Sequence, residues 1–166
     1  MSPRVVLVGP MGSGKTTVAD LLGDAWDLPV RDTDADIEAA TGREISDIFV
    51  ESGEDHFRDL EAAAVAAALA EHEGVLALGG GAVLRPETRE LLAGLPVVFL
   101  RVGLADAVKR VGLGVGRPLL LGNVRARIKA LLDERTPVYE SVSAHTVDTD
   151  GRTAHEVAAE VRRLLG

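Results

Sequence analysis

Val5-Val6-Leu7-Val8 runs directly into Gly9-Pro10-Met11-Gly12-Ser13-Gly14-Lys15-Thr16, and this join limits the folds open to the chain. A short apolar run bounded by glycine reads as a buried strand, and the residues from Thr16 to Trp26 carry helical spacing. The spacing G-x-x-x-x-G-K-[ST] between them lets the backbone curl so that successive N–H groups point inward at phosphate oxygens. Gly12, Ser13, Gly14, Lys15, Thr16 and Thr17 are therefore expected to hold a nucleotide. Lys15 would reach the β- and γ-phosphates, Thr16 would offer its hydroxyl to Mg²⁺, and the helix start adds the positive end of its dipole. A chance glycine turn would lack these strand and helix flanks.

The chain has 166 residues, enough for one well-buried core and short for two ordinary domains. A single domain over 1–166 is expected. No run of about 18 apolar residues could span a bilayer and no charged-then-apolar leader precedes the first strand, so a cytoplasmic protein is expected. Zero cysteines exclude disulfides and thiolate metal sites, and the four histidines have no metal-ligand spacing. A net charge of −8 argues against nucleic-acid or anionic-membrane binding, which need broad basic surface. Anion recognition must then be local, gathered on a few arginines.

Further apolar runs at Val75–Leu78 and Val97–Leu100, with weaker ones near Leu28–Val30 and Thr146–Val147, make five strands separated by helical patterns. Such alternation predicts a parallel sheet covered on both faces, a three-layer α/β/α architecture. Helices are expected at Thr16–Trp26, Asp34–Ala40, Ile45–Glu51, Glu54–Glu71, Pro86–Ala93, Leu104–Val111, Val124–Val142 with a break at Pro137, and Ala154–Leu165. Thr153 with Glu156 makes a capping box for the last. The glycine-rich segment at about 112–122, which includes Arg117, reads as a loop that moves, or as a plain surface connection. A guanidinium on such a cover would neutralise transition-state charge.

Asp32-Thr33-Asp34 follows the second strand, at the carboxyl edge where open α/β sheets bind ligands. Side chains two apart on an extended segment point the same way, so Asp32 could hold Mg²⁺ through water while Asp34 faces an acceptor. The plainer reading has Asp34 capping a helix and Asp32 solvated. In the helix from Glu54, Glu61 falls on the apolar stripe of Phe57, Leu60 and Ala64, with Arg58 three residues before it. Pairing would offset the cost of a carboxylate facing the core and leave the guanidinium oriented toward a ligand carboxylate; an ordinary surface ion pair is the alternative. Gly79-Gly80-Gly81 ends the Val75–Leu78 run, and three glycines there would let backbone approach a ligand closely. Phe49 and Phe57 read as core.

These motifs together resemble the shikimate kinase family over nearly the whole chain. The resemblance rests on G-x-x-G-S-G-K-T at 9–16, Asp32-Thr33-Asp34 with Asp36-Ile37-Glu38 and Gly42, and Ile45 to Phe49. It continues through Gly53-Glu54-x-x-Phe57-Arg58-x-x-Glu61, Gly79–Gly81, Arg117-Pro118-Leu119-Leu120 and Arg135-x-x-x-Tyr139. It implies a P-loop kinase fold with a mobile lid and an acceptor-binding segment at about 33–61. The implied reaction is ATP-dependent, Mg²⁺-assisted phosphorylation of the 3-hydroxyl of shikimate, by a monomer. By the same resemblance Asp34 orients the hydroxyl and accepts its proton, Arg58 and Arg135 hold the shikimate carboxylate, and Gly79, Gly80, Gly81 and Glu61 complete the acceptor site. Asp32 becomes a magnesium contact, Arg117 the lid arginine, Arg110 the face for adenine, and Arg152 a neighbour of the base. At the ordinary carboxylate pKa near 4 Asp34 would be a weak base, which suffices for a loose phosphoryl transfer where positioning dominates.

Other readings are a gluconate or nucleoside monophosphate kinase, and a nucleotide-binding module without catalysis. A GTP-dependent switch is suggested by Asp148-Thr149-Asp150-Gly151 as D-x-x-G, but the motif follows the last strand and no N-K-x-D reader occurs.

Overall fold

The computed structural model describes residues 2–115 and 121–166. Five parallel strands, β1 (Val5–Val8), β2 (Val30–Asp32), β3 (Val75–Ala77), β4 (Val97–Arg101) and β5 (His145–Asp148), form one sheet in the order β2-β3-β1-β4-β5. Alternation along β1 sorts its side chains: Val5 and Leu7 join a cluster with Val18, Leu22, Val157 and Val161, while Val6 and Val8 join one with Val65, Leu92, Phe99 and Tyr139. Helices α1 (Lys15–Trp26) and α8 (Ala154–Leu165) cover the first face. Helices α4 (Glu54–Glu71), α5 (Pro86–Leu92) and α7 (Leu121–Val142) cover the second. A third cluster of Ile37, Ile48 and Phe57 packs α2 (Thr33–Thr41) and α3 (Ile45–Ser52) onto α4. The three-layer arrangement expected from the sequence is the one observed.

Several elements differ in extent from expectation. β2 is displaced from Leu28–Val30 to Val30–Asp32, because pairing with β3 sets its register (Asp32 opposite Ala77), not its half-exposed apolar content. α2 consequently begins at Thr33, so Asp34 sits in a helical turn and not on an extended segment. α7 runs through Pro137 without a break; the proline forfeits one backbone hydrogen bond, and Tyr139, Val138 and Val142 anchor the turn that follows to the core. Finally, α6 (Leu104–Val115) continues four residues beyond the expected end at Val111, and α7 opens at Leu121. Much of the predicted 112–122 loop is thus helical, since glycine weakens a helix by only about 1 kcal/mol. Arg117 lies outside the described residues.

The order of strands places the loops after β1 and β3 side by side at the centre of the carboxyl edge. The loop after β1 holds Gly9–Gly14, and the loop after β3 holds Gly79–Gly81. Asp32, ending β2, stands next to the latter.

Candidate active site

Three contiguous cavities line the carboxyl edge. One, of about 320 Å³, is bounded by Gly12, Gly14, Lys15, Thr16, Thr17, Asp32, Asp34, Gly79 and Gly80. Gly14 caps α1 at φ 85°, a left-handed conformation open to glycine at little cost, and so aims the first N–H groups of the helix into this space. Lys15 donates to the carbonyls of Gly9 (2.6 Å) and Pro10 (3.1 Å). Burial lowers its pKa to about 8, against the opposing pull of Asp34 and Asp32. The Ser13 hydroxyl is buried and has no partner among the described residues.

Asp32 and Asp34 divide two tasks differently from the sequence expectation. Asp32 is the cap of α2, its Oδ1 accepting from the N–H groups of Asp34 (2.8 Å) and Ala35 (3.4 Å). Asp34 is left with a buried Oδ1 that has no partner among the described residues. Burial first, then the negative charges of Asp32 and Glu61, push its pKa up to about 6 despite Lys15. The unperturbed value near 4 is therefore corrected, and Asp34 is a better base than its residue type suggests. Thr16 and Asp32 fit a Mg²⁺ held largely by phosphate oxygens and water, because that ion needs one or two protein oxygens and no cage. No cluster of three or more His, Cys, Asp or Glu side chains that could hold a metal ion occurs among the described residues.

The second cavity, about 340 Å³, adjoins the first through Met11, Asp34 and Gly80. Its polar groups are Asp34, Arg58, Glu61 and Arg135, set against walls of Phe49, Phe57, Ile128 and Leu132. Arg58 donates to Glu61 at 2.7 Å, and the two side chains are 13% and 4% exposed, so this is a desolvated pair and not a surface one. The guanidinium also lies 5.3 Å and 5.8 Å from the ring centres of Phe57 and Phe49. Those two rings, read as core, both pack and line the cavity. The Nε of Arg135 is buried without a partner among the described residues. Glycine at 79 and 81 serves neighbouring side chains: a Cβ at Gly79 would strike the Asp34 carboxylate, and one at Gly81 the Arg58 guanidinium.

The third cavity, about 240 Å³, continues from Gly12, Gly14 and Thr17 to Arg110, Thr149, Arg152 and Ala154. Arg110 donates to the Gly12 carbonyl (2.7 Å) and to Thr149, tying the glycine loop to the segment after β5. Arg152 donates to the Asp148 carbonyl and pairs with Glu160. Thr149 was not anticipated from sequence; only its burial, 2% exposed, singles it out.

The sequence profile of the shikimate kinase family matches residues 11–165. The chain belongs to the shikimate kinase family. A shikimate kinase of Salinispora arenicola is 58% identical over 99% of both chains, and one of Thermobifida fusca 54% identical over 98% of this chain and 95% of its own. Among solved structures, shikimate kinase from Acinetobacter baumannii in complex with shikimate superposes with a TM-score of 0.90 at 34% identity, covering 99% of this chain and 93% of that one. The expected kinase, a transferase on a P-loop fold, is borne out. A gluconokinase from Sinorhizobium meliloti matches with a TM-score of 0.58 at 20% identity, a likeness of fold alone, so the gluconate reading gains no support from it. No helix among the described residues is long and apolar enough to cross a membrane.

Proposed function

We propose that this chain transfers the terminal phosphoryl group of ATP to the 3-hydroxyl of shikimate, giving shikimate 3-phosphate and ADP. One observation carries the assignment to residues: the cavity holding Asp34, Arg58 and Arg135 opens onto the cavity of the glycine loop through Asp34 and Gly80. An acceptor in the first is then beside a phosphate chain in the second. Arg58 and Arg135 hold its carboxylate, with Glu61 fixing the fork of Arg58. Gly79, Gly80 and Gly81 shape the floor. Asp34 orients the reacting hydroxyl and receives its proton as the oxygen bonds to phosphorus and the bridging oxygen leaves with ADP. Lys15 exchanges the carbonyls of Gly9 and Pro10 for phosphate oxygens. Gly12, Ser13, Gly14 and Thr17 cradle those oxygens through backbone and hydroxyl donors, with Arg110 and Arg152 flanking the base. Thr16 and Asp32 would hold Mg²⁺, which supplies charge neutralisation when bound. The role of Arg117 rests on its sequence motif.

The chain is read as one kinase domain, a monomer acting in the cytoplasm, and family membership with the fit of the site supports a small-molecule acceptor. The net charge of −8 weighs against a nucleic-acid partner. An acceptor panel tests it. Purified protein with Mg·ATP is offered shikimate, gluconate or AMP, with ADP release followed by a coupled assay and the product identified by phosphorus NMR. Turnover is expected with shikimate alone; turnover of gluconate or AMP, or none with shikimate, refutes the proposal. Arginine pairs aimed at a carboxylate make this selectivity steep, because an acceptor without that group leaves buried guanidinium unpaired.

A further inference from the structure

Tyr139, the second half of the Arg135-x-x-x-Tyr139 motif, is not used by the mechanism above, yet it is 0% exposed and its hydroxyl donates to the Gly80 carbonyl at 2.5 Å. Its ring packs against Phe99 with centres 5.0 Å apart, in the buried cluster between the sheet and α7. The other two carbonyls of the glycine triplet are also taken, that of Gly79 by the Ala82 N–H (3.1 Å) and that of Gly81 by the Leu84 N–H (3.2 Å). The N–H groups of Gly80 and Gly81 have no acceptor among the described residues, and both glycines line the cavity of Arg58 and Arg135.

In a trans peptide the carbonyl and the following N–H point in opposite directions. Holding the Gly80 carbonyl from the core side therefore turns the Gly81 N–H the other way. A Gly-Gly peptide has no Cβ to restrain it and rotates at small cost, so some external contact must choose its orientation. Building on the shikimate reading, we propose that Tyr139 is a positioning residue: its hydroxyl fixes the Gly80–Gly81 peptide so that the Gly81 N–H meets an oxygen of the acceptor. Arg135 stands one helical turn earlier on the same face of α7, so one helix delivers both a carboxylate clamp and the control of a backbone donor. Burial raises the pKa of the hydroxyl, with Arg135 and Arg58 opposing, which keeps it a proton donor over the working range.

Tyr139→Phe removes the hydroxyl and keeps the ring. Steady-state kinetics should show the KM for shikimate raised about tenfold, the KM for ATP unchanged and kcat within about threefold, as loss of one substrate-directed donor predicts. Phe99→Leu loosens the same core without touching the hydroxyl; it should lower the melting temperature and leave the shikimate KM alone. A shikimate KM unchanged in Tyr139→Phe, or raised as much by Phe99→Leu, overturns the proposal. Should Tyr139→Phe fail to fold, labelling decides. Tyr139 is the one tyrosine of the chain, so growth on 2,3,5-trifluorotyrosine substitutes a more acidic hydroxyl at this position alone. As it ionises it can no longer donate, and the shikimate KM should climb with pH in the labelled enzyme beyond its change in the unlabelled one; parallel curves overturn the proposal. Failure of the wild-type chain to phosphorylate shikimate would instead refute the functional reading, and this inference with it.

Discussion

Gly79→Ala isolates the placement of Asp34 without altering any ionisable group. A Cβ at this position lies 2.5 Å from Asp34 Oδ1 and 3.0 Å from its Cγ and Oδ2, where ordinary contact begins at 3.4 Å. Something must retreat by about 1 Å. The turn is poorly placed to do so, since the Gly79 N–H donates to Thr33 Oγ1 and the Gly79 carbonyl accepts from Ala82. The carboxylate has a buried oxygen with no partner to hold it among the described residues, so it moves. A displacement of that size at a reacting group costs about a hundredfold in rate, equivalent to about 2.7 kcal/mol of barrier. Gly79→Ala should therefore lower kcat for shikimate about a hundredfold and leave the KM for ATP within about twofold. Overpacking of this kind costs about 1–3 kcal/mol of stability, or roughly 2–10 °C in melting temperature for a chain of this size. ADP release measured with saturating Mg·ATP, beside a thermal melt, provides both readings. A folded Gly79→Ala enzyme with kcat within about threefold of wild type would show that the rate does not depend on where Asp34 sits.

The rate should depend on pH through the same residues: kcat/KM for shikimate falls below pH about 6 as Asp34 protonates and above about 8 as Lys15 loses its charge. Because the folded pKa of Asp34 is raised, its stabilising contribution is complete in acid and is lost as pH rises through about 6. Asp34→Asn should thus remove the acid limb of the residual rate and melt higher than wild type above that pH, with the difference vanishing toward pH 4. Arg58→Ala strands Glu61, whose side chain is 4% exposed, so urea unfolding should show a loss of about 3 kcal/mol together with a raised shikimate KM. Arg58→Ala/Glu61→Ala should regain most of the stability and none of the affinity, and recovery of both would sink the assigned role of the arginine.

The parts of the site that were legible in the sequence are those written in local spacing. Lys15 and Thr16 follow a strand by a fixed count, and Glu61 betrays itself by falling on an apolar helical stripe three residues after a cation. Asp32 and Asp34 were found as a pair, but their tasks depend on where α2 starts. That is set by the pairing of β2 with β3, a long-range contact invisible to a window of residues. The pKa of Asp34 was misjudged for a related reason: burial comes from what closes over it, not from its neighbours in sequence. Tyr139 could be seen as part of a motif and not as a ligand of Gly80, because 59 residues separate the two.

The glycine triplet shows why these long-range terms matter together. Thr33 accepts from the Gly79 N–H, Asp34 lies over Gly79, Arg58 lies over Gly81, and Tyr139 holds the Gly80 carbonyl. Helices α2, α4 and α7, which have no covalent reason to agree, are each indexed to the same three residues. Asp34 and Arg58 are then spaced by backbone fixed at the end of a core strand, and not by the length or flexibility of loops. Such indexing also explains the choice of residue. Any side chain at Gly79 or Gly81 would occupy the place from which a functional group must act, so smallness here is dictated by the neighbours. Spacing fixed in this way suits a loose transition state, which rewards alignment more than strong base catalysis.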